Sequence, residues 1–473
     1  MRGPTVLVVL TLSLTAVAAG GTARAGETVP AEDEDLSLIP PPPTSPAAAP
    51  ATGALRKIFL EDAFTQSWLQ SALVPEPPPP DPRWEERALL DVRREWHAGR
   101  DLRLTYSGRL NLRAEDGLGF PNHENLTNDL REAYLSWEPL ERVFLDVGRV
   151  NLKSGVALGF NPTDFFKTRA VVEPLSVDPV VLRDDRLGTL LLRAERVWAR
   201  GSLTAVYAPA VAGDSPIYTR LDLRSFDPMF DRTNAHERWL LKGTIDVADG
   251  LSPELLAYSS AGRTLWGANL AANVGQSVVA YLEWSGGRRG TVSADALGFG
   301  RVTGSLPAAA ASVLPDLGSV GFRNQLAVGA SYTTALPRIT FNLEFHYNQA
   351  GFSGADWQQW FRTGSGASSE SPIAGALWYV REYAADQQEL ISHRNAFLRA
   401  DWVDAFVPKL ELSGFIEADL ADGSSRLQLG ADYYLSDRWT LGGLVLIDSG
   451  GRRSDFGSLP EAGSVLLKMV RYF

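Results

Sequence analysis

From about Arg87 to its end the chain is written in alternating segments, each about ten residues long. Ile339, Phe341, Leu343, Phe345 and Tyr347 alternate with Thr340, Asn342, Glu344, His346 and Asn348. Leu102, Leu104, Tyr106, Leu110 and Leu112 do the same against Arg103, Thr105, Ser107, Arg109 and Asn111. A period of two sends successive side chains to opposite faces, so each segment is a strand between two unlike environments. The connections alternate in length. Glu138-Pro139-Leu140, Ala335-Leu336-Pro337 and Ser436-Asp437 are tight, whereas 114–125, 154–184, 210–235, 287–321 and 351–391 are long. A soluble sandwich also alternates. The loop rhythm, and tryptophans at strand ends (Trp96, Trp137, Trp198, Trp239, Trp284, Trp402, Trp439), instead favour an all-β, transmembrane antiparallel β-barrel.

The N-terminus agrees with export. Arg2, the apolar run Val6 to Ala19 and the small residues of Ala23-Arg24-Ala25 read as a signal peptide over 1–25. That run is too short to span a bilayer comfortably, and no later run approaches about 18 apolar residues. Residues 26–83 are rich in Pro and Ala, with a second proline run from Pro75 to Pro82, and read as an N-terminal segment before a barrel over 84–473. Within it, 54–63 suits a strand or a helix. Parity bears on the choice. The alternating segments from 88–97 to 463–473 number roughly 17, and even counts are the rule, so 54–63 is recruited as a first strand. The expectation is about 18 strands, or 16 if 88–97 lies outside the wall. Cysteine is absent, which removes disulfides, thiolate metal sites and thiol nucleophiles. A net charge of −11 argues against nucleic acid as a partner.

Two stretches resemble known proteins. Val465, Leu467, Met469 and Phe473 share one face of the last segment, interrupted by Arg471. This resembles the terminal strand by which outer-membrane proteins meet their assembly machinery. Leu130-Arg131-Glu132-Ala133-Tyr134-Leu135, followed by Val147-Gly148-Arg149, resembles a hairpin of alginate-export-type outer-membrane barrels and related porins. The resemblance implies a transport barrel in the outer membrane of a Gram-negative-type cell, facing lipid and lipopolysaccharide, with polar residues toward the lumen. It does not by itself imply alginate. The segment Gly155 to Arg169 fits a loop folded beside the pore.

The lumen is then the functional surface. Alternation assigns Arg103, Arg109, Arg193, Arg200, Arg238 and Lys242 to an early, more basic wall, and Glu283, Glu344, Glu411, Glu417, Asp419 and Asp432 to a later wall of mixed charge with an acidic bias; Glu132 is read as pore-lining too. Walls of opposite sign would set a transverse field that selects solutes; the alternative is a set of salt bridges that stiffen the barrel. Arg149 falls on the lipid side by simple alternation, so a bulge at Gly148 is expected to turn it inward. The expected constriction is the 154–184 loop with its neighbour, carrying Asp164, Lys167, Arg169, Asp178, Arg183, Asp184 and Asp185, and Phe160, Phe165 and Phe166 as packing anchors. Trp357, Trp360, Phe361, Trp378 and Tyr379 in the 351–391 loop are candidates for stacking on sugars, for capping the barrel or for meeting headgroups. The five histidines are scattered, and no nucleophile elbow, zinc or phosphate-loop motif occurs. The expectation is therefore a non-enzymatic passive channel without cofactor, passing polar or charged solutes or exporting an anionic polysaccharide. The alternatives are a closed binding or structural barrel and an outer-membrane hydrolase.

Overall fold

The structure is a computed structural model that describes residues 56–473 except 79, 117–125, 173, 218–226, 249 and 308–319. The signal segment, the 26–53 tail and most of the 114–125 loop lie outside the described residues.

Eighteen antiparallel strands form one closed sheet. In chain order they are β1 (Arg56–Leu69), β2 (Trp84–Ala98), β3 (Leu102–Glu115), β4 (Leu126–Leu140), β5 (Val143–Val150) and β6 (Thr189–Trp198). There follow β7 (Gly201–Ala208), β8 (Arg238–Ile245), β9 (Glu254–Ser260), β10 (Arg263–Val274), β11 (Val278–Arg289) and β12 (Gly321–Thr333). The last are β13 (Ile339–Asn348), β14 (Arg394–Trp402), β15 (Leu410–Asp419), β16 (Ser425–Ser436), β17 (Trp439–Ser449) and β18 (Glu461–Tyr472). The segment that parity recruits is a strand, and it is the one that closes the barrel: β1 pairs with β2 on one edge and β18 on the other. Residues 70–83, grouped by composition with the N-terminal tail, instead connect β1 to β2 at the end of the barrel that carries the long loops.

Inside–outside alternation holds round the wall. On β13, Asn342, Glu344, His346 and Asn348 are buried, while Phe341, Leu343 and Phe345 are exposed. The outward face is apolar along most strands, which suits hydrocarbon rather than water. Tryptophans border it at both ends. Trp96, Trp137 and Trp198 are exposed near the short turns, and Trp68, Trp239 and Trp266 are exposed nearer the long loops. Such rings place an apolar body and a polar N–H at an interface.

The long loops carry helices that the period-two reading of the sequence passes over: α1 (Pro179–Asp184), α2 (Phe230–Thr233), α3 (Val292–Val302), α4 (Gly354–Gly364) and α5 (Pro372–Asp386). Their local signals are ordinary. Ser353 and Asp356 form a reciprocal capping box at α4, and Pro372 occupies the first turn of α5 behind the Ser371 cap. The apolar faces of α3, α4 and α5 pack together with Val74 and Phe352 into a hydrophobic cluster at the long-loop end. Trp357, Trp360, Phe361, Trp378 and Tyr379 are all buried in it. Of the roles open to them, capping is the one this packing matches; none presents a ring face for stacking on a sugar.

Candidate functional site

The 151–188 loop leaves the wall after β5 and folds into the lumen instead of standing over it. Two wall carboxylates hold its backbone. Glu283 on β11 accepts hydrogen bonds from the amides of Val156 (2.9 Å), Ala157 (3.0 Å) and Thr163 (2.9 Å), and from the Thr163 hydroxyl (2.8 Å). Glu344 on β13 accepts from the amides of Leu158 (2.7 Å) and Gly159 (2.9 Å) and from the Tyr281 hydroxyl (2.7 Å), and bonds His346 Nε2 at 2.6 Å. Two glycines make this approach possible. A Cβ on Gly155, whose φ is +88°, would stand 2.4 Å from a Glu283 carboxylate oxygen, and one on Gly159 would stand 2.7 Å from the His346 and Phe397 rings.

The same loop is fastened at other points round the wall. Phe165 stacks on Tyr258 of β9 with centroids 4.7 Å apart, and Phe166 meets the same ring edge-on at 5.9 Å. Gln428 on β16 accepts from the Ser176 hydroxyl (3.1 Å) and the Val177 amide (3.2 Å). Asp178 caps α1 and pairs with Arg399 on β14. On the opposite side, Asp185 meets Arg109 of β3 at 3.0 Å and Arg131 of β4 at 3.4 Å. Burial raises the Asp185 pKa, but the two guanidiniums outweigh it and the carboxyl is held below its ordinary value. Arg183 donates to the carbonyls of Ser154 and Gly155, Asp184 pairs with Lys153 at 2.6 Å, and Asp164 is clamped by Arg186 at 2.5 Å. Burial pushes the Lys167 ammonium down; its Nζ donates to the Asn161 carbonyl (2.9 Å) and sits 4.5 Å over the Phe160 ring. The loop is thus a septum. It reaches β3 and β4 on one side and β11, β13 and β16 on the other.

Spaces lie on both sides of the septum. One, of about 280 Å³, is lined by Ser154 to Val156 and by Arg193, Glu195, Lys242 and Glu254 on β6, β8 and β9. Another, of about 190 Å³, lies between Leu175 to Val177 and the wall of β1, β16, β17 and β18.

The structure also shows what each expected lumen residue does. Arg103 lies near the short-turn end, 3.5 Å from the Ser136 hydroxyl. Arg109 shares Asp91 with Arg131, Arg193 pairs with Asp146 and Glu195, and Lys242 meets Glu254 at 3.1 Å. Glu132 faces Arg93 at 3.4 Å, and Asp432 meets Lys468 at 3.0 Å. Glu411 accepts from Tyr434 and Glu417 from Asn395. The early wall therefore carries its own acids beside its arginines, and charge is balanced pair by pair rather than wall against wall. Arg200 is in the β6–β7 turn, exposed, with its guanidinium on the Asp246 carbonyl, and lines no lumen. Glu344 is buried beneath the septum rather than facing open water.

Arg149 corrects a second expectation. The ladder runs through Gly148 without a shift, and Arg149 stays opposite Ala133 and Leu190. No bulge turns it inward. Instead the segment before α2 covers it: its guanidinium donates to the carbonyls of Gly188 (2.8 Å) and Pro228 (2.5 Å) and lies 5.1 Å from the Phe230 ring. A bulge lies instead on β4, where the register against β3 skips Arg131. That residue turns to Asp91 and to the Asp184 carbonyl.

Arg169, at φ +57°, ties four loops together. It bonds Asp386 (3.2 Å), the Asp231 carbonyl (3.2 Å) and the Ser215 and Pro216 carbonyls (3.0 and 3.2 Å), and lies 5.0 Å from the Phe299 ring. Bonds to a charged group contribute about 1.5–3 kcal/mol each. Arg169→Ala is expected to raise the rate of limited proteolysis in the 209–237 and 349–393 loops about tenfold while the strands stay protected. An unchanged digestion pattern would remove Arg169 from this role.

No protein-family model and no curated protein matches the chain. Among solved structures, Pseudomonas aeruginosa OccK8 (OprE) is similar over 89% of this chain and 98% of that one, with a TM-score of 0.50 at 10% identity. A mutant porin of Rh. blastica is similar over 89% of this chain and all of its own, with a TM-score of 0.39 at 10% identity. The fold is a closed antiparallel β-barrel like that of OccK8. At such identity the likeness to OccK8 speaks for architecture alone. Nothing in it singles out the alginate-export type.

Proposed function

We propose that the chain is a passive channel of the outer membrane for small polar or charged solutes. The observation that carries the reading is the septum: a loop fastened to opposite walls of a closed 18-stranded barrel, with charge-lined spaces on both sides. A barrel of this size does not fill its interior with wall side chains alone. Selection is by width and by the paired charges beside the septum, and no bond is made or broken. The apolar belt is proposed to face lipid and lipopolysaccharide, and β18 to be the strand read by the assembly machinery. Purified protein in planar bilayers is expected to give discrete KCl conductance steps, and liposomes carrying it to swell in small sugars and amino acids. No current and no swelling from barrels that show heat-modifiable mobility would establish a closed barrel instead.

A further inference from the structure

A cavity of about 610 Å³ opens at the long-loop end, between α3 and the ends of β8 to β11, away from the septum spaces. Five arginines line it: Arg169, Arg232, Arg238, Arg263 and Arg289. Three are spoken for. Arg169 and Arg232 bond Asp386, and Arg263 grips Asp295 through two contacts of 3.1 Å. The other lining acids are matched as well, Asp214 by Arg169 at 3.9 Å and Glu389 by Lys167 at 3.9 Å and by Gln325.

Arg238 and Arg289 remain. Arg238 is 5% exposed, donates to the Thr189 hydroxyl at 3.2 Å and lies 4.9 Å from the Phe166 ring. Arg289 donates to the Ser285 hydroxyl at 3.2 Å, and its buried Nε has no partner. Among the described residues no carboxylate lies within ion-pairing distance of either one. Arg289 feels Glu389 and Asp295 only from beyond ion-pairing distance, and Arg238 is buried with no direct ion pair; a guanidinium so placed is costly to bury, and its planar fork fits an oxyanion. The rest of the lining includes Tyr258, Leu265, Val292 and Phe299. A cavity of this volume with apolar walls and a few polar groups has the character of a small-molecule site.

We infer that this cavity binds an organic anion that carries its charge on an apolar body, with Arg238 and Arg289 taking the oxyanion and Leu265, Val292 and Phe299 taking the body. The inference deepens the channel reading, for which the cavity is a waiting position ahead of the septum. It is tested on the full chain with benzenesulfonate as probe, benzenesulfonamide as the neutral isostere and inorganic sulfate as the anion without a ring. Calorimetry in detergent is expected to show benzenesulfonate binding that weakens at least tenfold in Arg289→Gln and again in Arg238→Gln/Arg289→Gln, with neither control binding comparably. Arg238→Lys keeps the charge but not the fork and is expected to fall between. Heat-modifiable mobility verifies that each variant is folded. In bilayers, benzenesulfonate added on the long-loop side is expected to interrupt the KCl current, with shorter interruptions in the Arg289 variant.

Binding without any KCl current would overturn the channel and leave the site standing. KCl current with no benzenesulfonate binding would overturn the site and leave the channel standing. Equal binding by wild type and the folded double variant, or equal binding of sulfate and benzenesulfonate, also overturns the site.

Discussion

Replacing Glu283 and Glu344 together by alanine is expected to release the septum and raise single-channel KCl conductance at least about twofold, with flickering between levels that the wild type lacks. Six donors of the loop end on these two carboxylates: the amides of residues 156, 157, 158, 159 and 163 and the Thr163 hydroxyl. Each bond to a charged acceptor contributes about 1.5–3 kcal/mol, and a buried donor left without an acceptor costs a further penalty of similar size. The double alanine variant therefore does more than remove attraction. It leaves amides that are better satisfied by water, which they reach only if the loop moves away. Glu283→Gln is expected to be intermediate, since one oxygen still accepts while the new NH₂ faces amide donors. Unchanged conductance in the double variant would mean that Phe165, Phe166 and the Asp178–Arg399 and Asp185–Arg109 pairs hold the loop unaided, and that the carboxylates are not its latch.

The wall was far more legible in the sequence than this latch. Alternation along β13, the short and long connections and the strand-end tryptophans all express one physical fact, a sheet between hydrocarbon and water, and they repeat often enough to be read. Parity then turned a short ambiguous segment into β1. Phe165 and Phe166 were legible too, because adjacent aromatics in a polar loop need something to pack against. The function of Glu283 and Glu344 was not. An inward carboxylate on a strand has the same spacing whether it faces water or two or three amides, and only the path of a loop more than 100 residues away decides. Charge balance was lost for a related reason. The basic residues of the early strands pair with Asp91, Asp146 and Glu254 across strands and with Glu195 on the same strand, and the cross-strand pairings depend on register. Alternation alone does not place Arg149, because its cover comes from Pro228 and Phe230, about eighty residues along the chain. In the 351–391 loop the helix signals were present, in the Ser353–Asp356 box and Pro372, but a search for period two passes over them.

Acidification from pH 7.5 to 5 is expected to tighten the cap, and Asp455 is the reason. This residue follows β17 in the 450–460 loop and is buried at the edge of the tryptophan cluster. Burial lifts its carboxyl to about 6 from an ordinary 3.8, against the pull of Arg381 and the Ser392 hydroxyl, and Asp419 and Glu417 add to the lift. The charged groups around it come from every side. Arg381 of α5 bonds it at 2.8 Å while lying 5.1, 5.7 and 5.5 Å from the rings of Trp357, Trp360 and Trp378. Ser392 bridges it to Asp419 with bonds of 3.0 and 2.7 Å, and Asp422 accepts from its amide at 2.7 Å. A carboxyl whose folded value is raised binds its proton in the assembled loop before it would in the open one. Its contribution therefore grows as pH falls through about 6, saturates below 3.8 and is lost as pH rises again. At 1.36 kcal/mol per unit, about 3 kcal/mol is available across that window. Hydrogen exchange in 372–392 and 450–460, corrected for intrinsic rates, is expected to slow on acidification. In Asp455→Asn the pH dependence should flatten, because the amide mimics the protonated form and gives protection at pH 7.5 close to that of the wild type at pH 5. Faster exchange in the wild type at pH 5, or an undiminished pH slope in the variant, would show that the Arg381–Asp455 ion pair, rather than relief of the buried charge, governs the cap.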